Sequence, residues 1–117
     1  MKKSQVLLFL ALCFVLLNNC TSNNDSFLSN IQGSYSLNED PYIILSIYQD
    51  GNMFTNNNII FKFENSIDNY SAIYQNIITY NYYPVRLCNQ NLLMGENYFS
   101  KNQVLFKNMT LFGFKQN

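Results

Sequence analysis

The sequence predicts an all-β protein, a small antiparallel β-barrel or sandwich of seven to nine short strands after an N-terminal signal helix. Three observations carry that class. Short runs rich in Ile, Tyr, Phe, Val and Leu recur at close spacing from Ile31 to the end, separated by clusters of Asn, Asp, Gly, Ser and Pro. Twenty Asn and nine Tyr, against two Ala and four Gly, disfavour long helices and suit strands joined by turns. Finally, Asp50-Gly51 stands between two strand-like runs, the strongest short-range hairpin signal in a sequence.

The chain opens on a leader. Lys2 and Lys3 precede an unbroken apolar run of twelve residues, Val6 to Leu17, then Asn18, Asn19 and Cys20. A helix that spans a bilayer needs about 20 apolar residues, so this run is short for a permanent span. A basic start with an apolar core of about 7–15 residues is instead the pattern of a secretory signal peptide. Residues 1–19 therefore read as that peptide, residues 20–26 as a modified cysteine with a polar tether ending Thr-Ser-Asn-Asn-Asp-Ser, and residues 27–117 as one β-rich domain.

Within that domain Ile31 to Leu37 alternates, with Ile31, Tyr35 and Leu37 on one face, which predicts a half-buried first strand. Asn38 to Pro41 is a turn, and Tyr42 to Gln49 reads as a continuous central strand. A two-residue turn at Asp50-Gly51 would pair Tyr48 with Met53 and Ile47 with Phe54. Asn56-Asn57-Asn58 reverses the chain. The next strand places Ile59, Phe61 and Phe63 inside and Lys62 and Glu64 outside. Over residues 67–83, Ile67, Tyr70, Ile73, Tyr74 and Ile77 fall at helical spacing, so a helix is one reading. The residue types are poor helix formers and favour two strands, Tyr70–Tyr74 and Ile77–Tyr83, turning at Gln75-Asn76. Pro84 then breaks the chain. Short strands follow at Val85–Cys88, Leu92–Met94, Tyr98-Phe99, Val104–Lys107 and Thr110–Lys115.

Composition excludes several chemistries. Loss of Lys2 and Lys3 with the leader leaves five basic residues against seven acidic ones, dispersed and without a basic stripe, so nucleic acid lacks its electrostatic footprint. There is no His, which removes the usual general base, the Ser–His and Cys–His dyads and the commonest metal ligand. No glycine-rich phosphate loop or metal-ligand cluster occurs, so neither a metal nor another cofactor is expected. The scattered carboxylates suggest turns and solvated strand faces, and the expectation is a protein that is not an enzyme. Of the three cysteines, Cys13 departs with the leader. Cys88, beside Leu87, is expected to be a buried and inert thiol. The sequons at Asn69 and Asn108 read as chance in so Asn-rich a chain.

Three resemblances add to this reading. The apolar run ending in Leu17-Asn-Asn-Cys20 resembles the lipobox of bacterial lipoproteins. That resemblance implies cleavage before Cys20, acylation of Cys20 and a membrane partner through an N-terminal lipid anchor. It places the protein in the cell envelope, at the outer membrane or cell surface in preference to the cytoplasmic membrane. Phe27 to Tyr35, with Gly33-Ser34-Tyr35 where that family has Gly-x-Trp, resembles the opening of lipocalin-like bacterial lipoproteins. It implies a small apolar ligand in the mouth of a barrel. Gly95-Glu-Asn-Tyr98 followed by Phe106, Lys107 and Leu111 is similar to the closing half of membrane-bound inhibitors of C-type lysozyme, although Asn108 stands where those have Gly. It implies a protein partner met by Gly95, Tyr98 and Lys107. The resulting expectation is a lipid-anchored envelope lipoprotein with a non-catalytic binding domain for a small apolar ligand. Its alternatives are an inhibitor of an enzyme such as lysozyme, and structural or surface display with no pocket.

Overall fold

From Gly33 onward, alternating apolar and polar residues wind into strands that pair in chain order until the last closes on the first. The structure is a computed structural model that describes residues 23–116. The expected signal peptide and Cys20 lie outside the described residues. Eight antiparallel strands form a closed barrel: β1 (Gly33–Leu37), β2 (Ile44–Ile47), β3 (Met53–Thr55), β4 (Asn58–Ser66), β5 (Ser71–Asn76), β6 (Tyr82–Cys88), β7 (Asn91–Met94) and β8 (Thr110–Lys115). Closure removes the free sheet edges that would otherwise invite aggregation. The fold is therefore all-β and a barrel, with eight strands, as the sequence predicts.

Among the described residues one short helix, α1 (Asn23–Ile31), precedes the barrel. The polar stretch expected as a tether through Ser26 thus gives its last four residues to a helix. Its Asn and Ser residues are weak helix formers. Burial holds it instead: Phe27 and Ile31, spaced i and i+4, are both fully buried in the barrel end. Ile31 is accordingly inside as expected, but as the last helical residue and not as part of β1.

Tyr35, Leu45, Met53, Ala72, Tyr74, Val85 and Leu92 fill the interior, all of them fully buried. A closed eight-stranded barrel is just wide enough for side chains to occupy it. Gly113 sits inside this packing, where an added Cβ would lie 3.3 Å from the carbonyl oxygen of Ser36 and 3.5 Å from the Cβ of Tyr35.

Several local expectations change. The hairpin at Asp50-Gly51 is not a two-residue turn: Ile47 pairs with Met53 and Ser46 with Phe54, one residue out of the expected register. Cross-strand partners share a face, so this register sends Ile47 and Met53 inward together. The longer loop is fixed by Asp50, whose Oδ1 accepts from the Asn52 amide at 3.1 Å, and by the Tyr74 hydroxyl, which donates to the Gly51 carbonyl at 2.7 Å. A bulge in β4 skips Ile60 between the pairs Met53–Phe61 and Phe54–Ile59. As a result Ile60, not Ile59, packs against the core. By contrast, the reversal at Asn56-Asn57 is a tight turn with both residues at positive φ, 50° and 65°, the primed geometry that suits a hairpin.

Residues 71–88 form two strands, but the turn between them lies at 77–81 and not at Gln75-Asn76. Asn76 Oδ1 accepts from the amides of Ile78 and Thr79, and Tyr80 takes a positive φ to close the loop. Pro84 lies within β6 and does not break it. It is paired with Ile73 and buried, and on its other side its carbonyl accepts from the Gly95 amide at 2.9 Å just past the end of β7, so its missing N–H costs only the reciprocal bond at the last rung of that ladder. Val104–Lys107 is not a strand, and Tyr98 makes a single bridge to Tyr82. Cys88 is exposed at the end of β6, correcting the buried thiol. Among the described residues no helix is long and apolar enough to cross a membrane.

Candidate binding surface

Because consecutive strands alternate in direction, every connection falls at one of two ends. α1 and the loops 48–52, 67–70 and 89–90 share one end, whereas the loops 38–43, 56–57, 77–81 and 95–109 share the other.

The first end is sealed. The Phe27 ring stacks on Phe63 at 5.7 Å between centroids and tilts against Tyr74 at 6.4 Å. The Tyr35 hydroxyl donates to the Ile31 carbonyl at 2.6 Å, so both buried phenols have partners at this end. Burial pushes the pKa of each well above the ordinary tyrosine range. Asn24 Oδ1 accepts from the Ser66 amide and hydroxyl, Asn30 Nδ2 donates to the Asn69 carbonyl, and Lys115 Nζ donates to the Asn30 carbonyl at 2.8 Å. The helix is thereby fastened near both of its ends.

The second end is built differently. Asp40 Oδ1 accepts from the Tyr42 amide, and that local turn projects Tyr42 outward, 95% exposed. The Asn76-capped turn does the same for Ile78 and Tyr80, 82% and 68% exposed. Phe99, one residue beyond the Tyr98–Tyr82 bridge, is 89% exposed. These are the four most exposed large hydrophobic side chains among the described residues, and all four lie on the loops of this end. Beneath them Phe61 meets Tyr83 and Phe112 edge to face at 5.3 and 6.0 Å, with Tyr83 and Phe112 only partly buried toward the mouth. Sequence reasoning missed Tyr42, Ile78, Tyr80 and Phe99 as surface groups because it placed all four in strands. The available signals were Asp40 and Asn76, side chains that bond their own backbone two residues on.

The structure brings the residues of the inhibitor resemblance into one connection. Gly95 packs so closely that a Cβ would sit 2.6 Å from Pro84 Cγ and 3.1 Å from the Lys107 carbonyl oxygen. Tyr98 is half-buried and its hydroxyl donates to the Leu105 carbonyl at 3.4 Å. Lys107 is exposed. Their segment does not stand free. Lys101 reaches Glu64 of β4 at 3.7 Å, and the Arg86 guanidinium of β6 lies 5.3 Å from the centre of the Phe106 ring. The 95–109 connection therefore straps across the outer wall of β5. Ile73, which alternates with the inward Ala72 and Tyr74, is buried on that wall yet lies outside the main core.

An open cleft of about 770 Å³ at the helix-capped end is lined by residues including Asp68, Tyr70, Arg86 and the exposed Cys88. Arg86 Nε donates to Ser71 Oγ at 3.0 Å on its floor. No protein-family model matches the chain, and no curated protein or solved structure matches it.

Proposed function

We propose that this is a lipid-anchored lipoprotein of the bacterial cell envelope whose barrel is a non-catalytic protein-binding module, presenting its loop end to a partner. The observation that carries the reading is the asymmetry of the barrel. Side chains fill the interior, while Tyr42, Ile78, Tyr80 and Phe99 are offered to solvent together at the end opposite α1. Single exposed apolar residues are ordinary, but their concentration at one end is how interaction surfaces are built. The leader and Cys20 support the anchor. A photo-crosslinking residue at position 99 or 78 in intact envelopes should trap a discrete protein adduct, and one at Lys62 on the wall should not. Absence of adducts at both loop positions would overturn the reading.

C-type lysozyme is one candidate partner, supported by Gly95, Tyr98 and the exposed Lys107 in one connection. Micromolar protein should slow lysozyme clearing of a cell suspension, and Lys107→Ala should relieve the inhibition. No slowing removes lysozyme as the partner. Cys20→Ala should abolish palmitate labelling and release the protein from membranes, and persistent labelling would refute the anchor. A second reading, a small apolar ligand seated in the mouth, is favoured by the partly buried Tyr83 and Phe112 above Phe61. Competitive displacement of a fluorescent fatty acid, weakened by Phe112→Ser, is its test.

A further inference from the structure

We infer that the helix-capped end of the barrel docks on the bilayer that holds the Cys20 lipids, with Ile67 and Tyr70 of the β4–β5 loop in the headgroup layer. The inference rests on the anchor reading of Cys20 and deepens it from attachment to orientation.

Reach decides it. Only Thr21 and Ser22 separate Cys20 from the first helical residue, Asn23. Fully extended, that chain spans at most about 11 Å between the Cα atoms of Cys20 and Asn23. Turning the barrel over, loop end to the membrane, would require the tether to cover the length of a strand. For strands of six to nine residues that is about 20–30 Å. Two residues cannot supply it.

The point of attachment is also fixed in the plane of that end. Asn24 Oδ1 accepts from the Ser66 amide at 2.9 Å and from its hydroxyl at 2.6 Å, which ties the first turn of α1 to the last residue of β4. The very next residues are the loop Ile67-Asp68-Asn69-Tyr70. Asp68 Oδ1 accepts from the Tyr70 amide, and the Ile67 amide donates to the Ser71 carbonyl. This tight turn leaves Ile67 49% and Tyr70 53% exposed, beside the chain that leads to the lipid.

The chemistry suits an interface. A tyrosine carries an apolar ring and a polar tip, and such residues concentrate where a membrane meets water. Isoleucine adds apolar area. The charge balance at this end is slightly acidic, since Asp25, Asp50 and Asp68 outnumber Arg86 and Lys115. Docking by this end therefore depends on apolar contact and the anchor, and not on anionic lipid.

The natural sequence has no tryptophan, so an introduced one is a lone reporter. The full chain is expressed as Tyr70→Trp or as Phe99→Trp, both at exposed positions, and reconstituted into phosphatidylcholine vesicles with brominated acyl chains. Fluorescence of Tyr70→Trp should lose most of its intensity, unchanged by salt that screens surface charge, while Phe99→Trp keeps its own. Palmitate labelling of the same samples reports the anchor separately. Labelled protein with an unquenched Tyr70→Trp, or a quenched Phe99→Trp, overturns the docking alone. Unlabelled protein overturns the anchor, and the docking with it.

Discussion

The two ends of this barrel spend their aromatic residues in opposite ways. At the helix-capped end Phe27, Phe63, Tyr35 and Tyr74 are drawn inward, and both phenols bond backbone carbonyls. At the loop end Tyr42 and Tyr80 are held outward by turns made from local side-chain-to-backbone bonds, and Phe99 follows the backbone bridge between Tyr98 and Tyr82. The first arrangement generates stability and the second generates surface. The contrast makes the two sets of rings separable by mutation: changes to the inward set should unfold the protein, and changes to the outward set should leave it folded.

Phe27→Ala is the largest expected effect. It removes a fully buried ring from between Phe63 and Tyr74, a class of change that costs about 3–5 kcal/mol. Its counterpart, Phe99→Ser, should stay within about 0.5 kcal/mol of the parent. Urea unfolding followed by circular dichroism measures both, and comparable losses would erase the distinction. Gly51→Ala comes next. Gly51 has φ +85°, and an added Cβ would lie 2.5 Å from Leu28 Cδ2 and 3.0 Å from Phe63 Cβ. Overpacking of this kind costs about 1–3 kcal/mol, with backbone strain in addition.

The seal also has a pH signature. The phenols of Tyr35 and Tyr74 are raised in the folded state, so folded protein holds those two protons more tightly than unfolded protein does. Their stabilisation is fully present below the unfolded tyrosine pKa of about 10 and is lost as pH rises beyond it. Each group should steepen the fall by about 1.4 kcal/mol per pH unit above that point. Tyr74→Phe should flatten the alkaline slope and, at neutral pH, cost about 1–3 kcal/mol for the Gly51 carbonyl left without its donor. Tyr80→Phe, at an exposed position, should leave stability at neutral pH unchanged.

Much of the barrel was readable in the sequence, and what was not readable has specific causes. Alternation from Gly33 to Leu37 and from Phe61 to Glu64, together with the Asn56-Asn57 reversal, reports local backbone preference, and the structure keeps it, although Ile31 ends the helix and does not begin the strand. The Asp50-Gly51 register was not legible, because it depends on the Tyr74 hydroxyl reaching Gly51 from 23 residues away. Pro84 looks like a breaker until β7 is known to stop beside it. The first four residues of α1 read as tether because Asn and Ser oppose helix formation, and the helix is stabilised by a barrel end that local pattern does not contain. The candidate surface was the least legible part. Gly95, Tyr98 and Lys107 do fall in one connection, but Tyr42, Ile78 and Tyr80 read as strand residues until the turns that hold them are seen.

The strap formed by residues 95–109 tests whether the contrast between ends extends along the wall. Phe106 lies under the Arg86 guanidinium, and Ile73 is buried on the wall that the strap crosses. A cation over an exposed ring contributes about 0.5–1 kcal/mol, so Phe106→Ala should cost somewhat more than that, through uncovered apolar surface. The smallest effect belongs to Lys101→Ala. Its pairing with Glu64 is long at 3.7 Å and the lysine is well exposed, so salt screens it and side-chain entropy opposes it. A loss of no more than about 0.5 kcal/mol is expected, vanishing at high salt. Hydrogen exchange at Ile73 is the sharper measurement, because it reads the strap locally. If Lys101→Ala speeds exchange there as much as Phe106→Ala does, the ion pair and not the aromatic contact holds the strap to the barrel. If only Phe106→Ala does so, apolar packing governs the wall as it governs the helix-capped end.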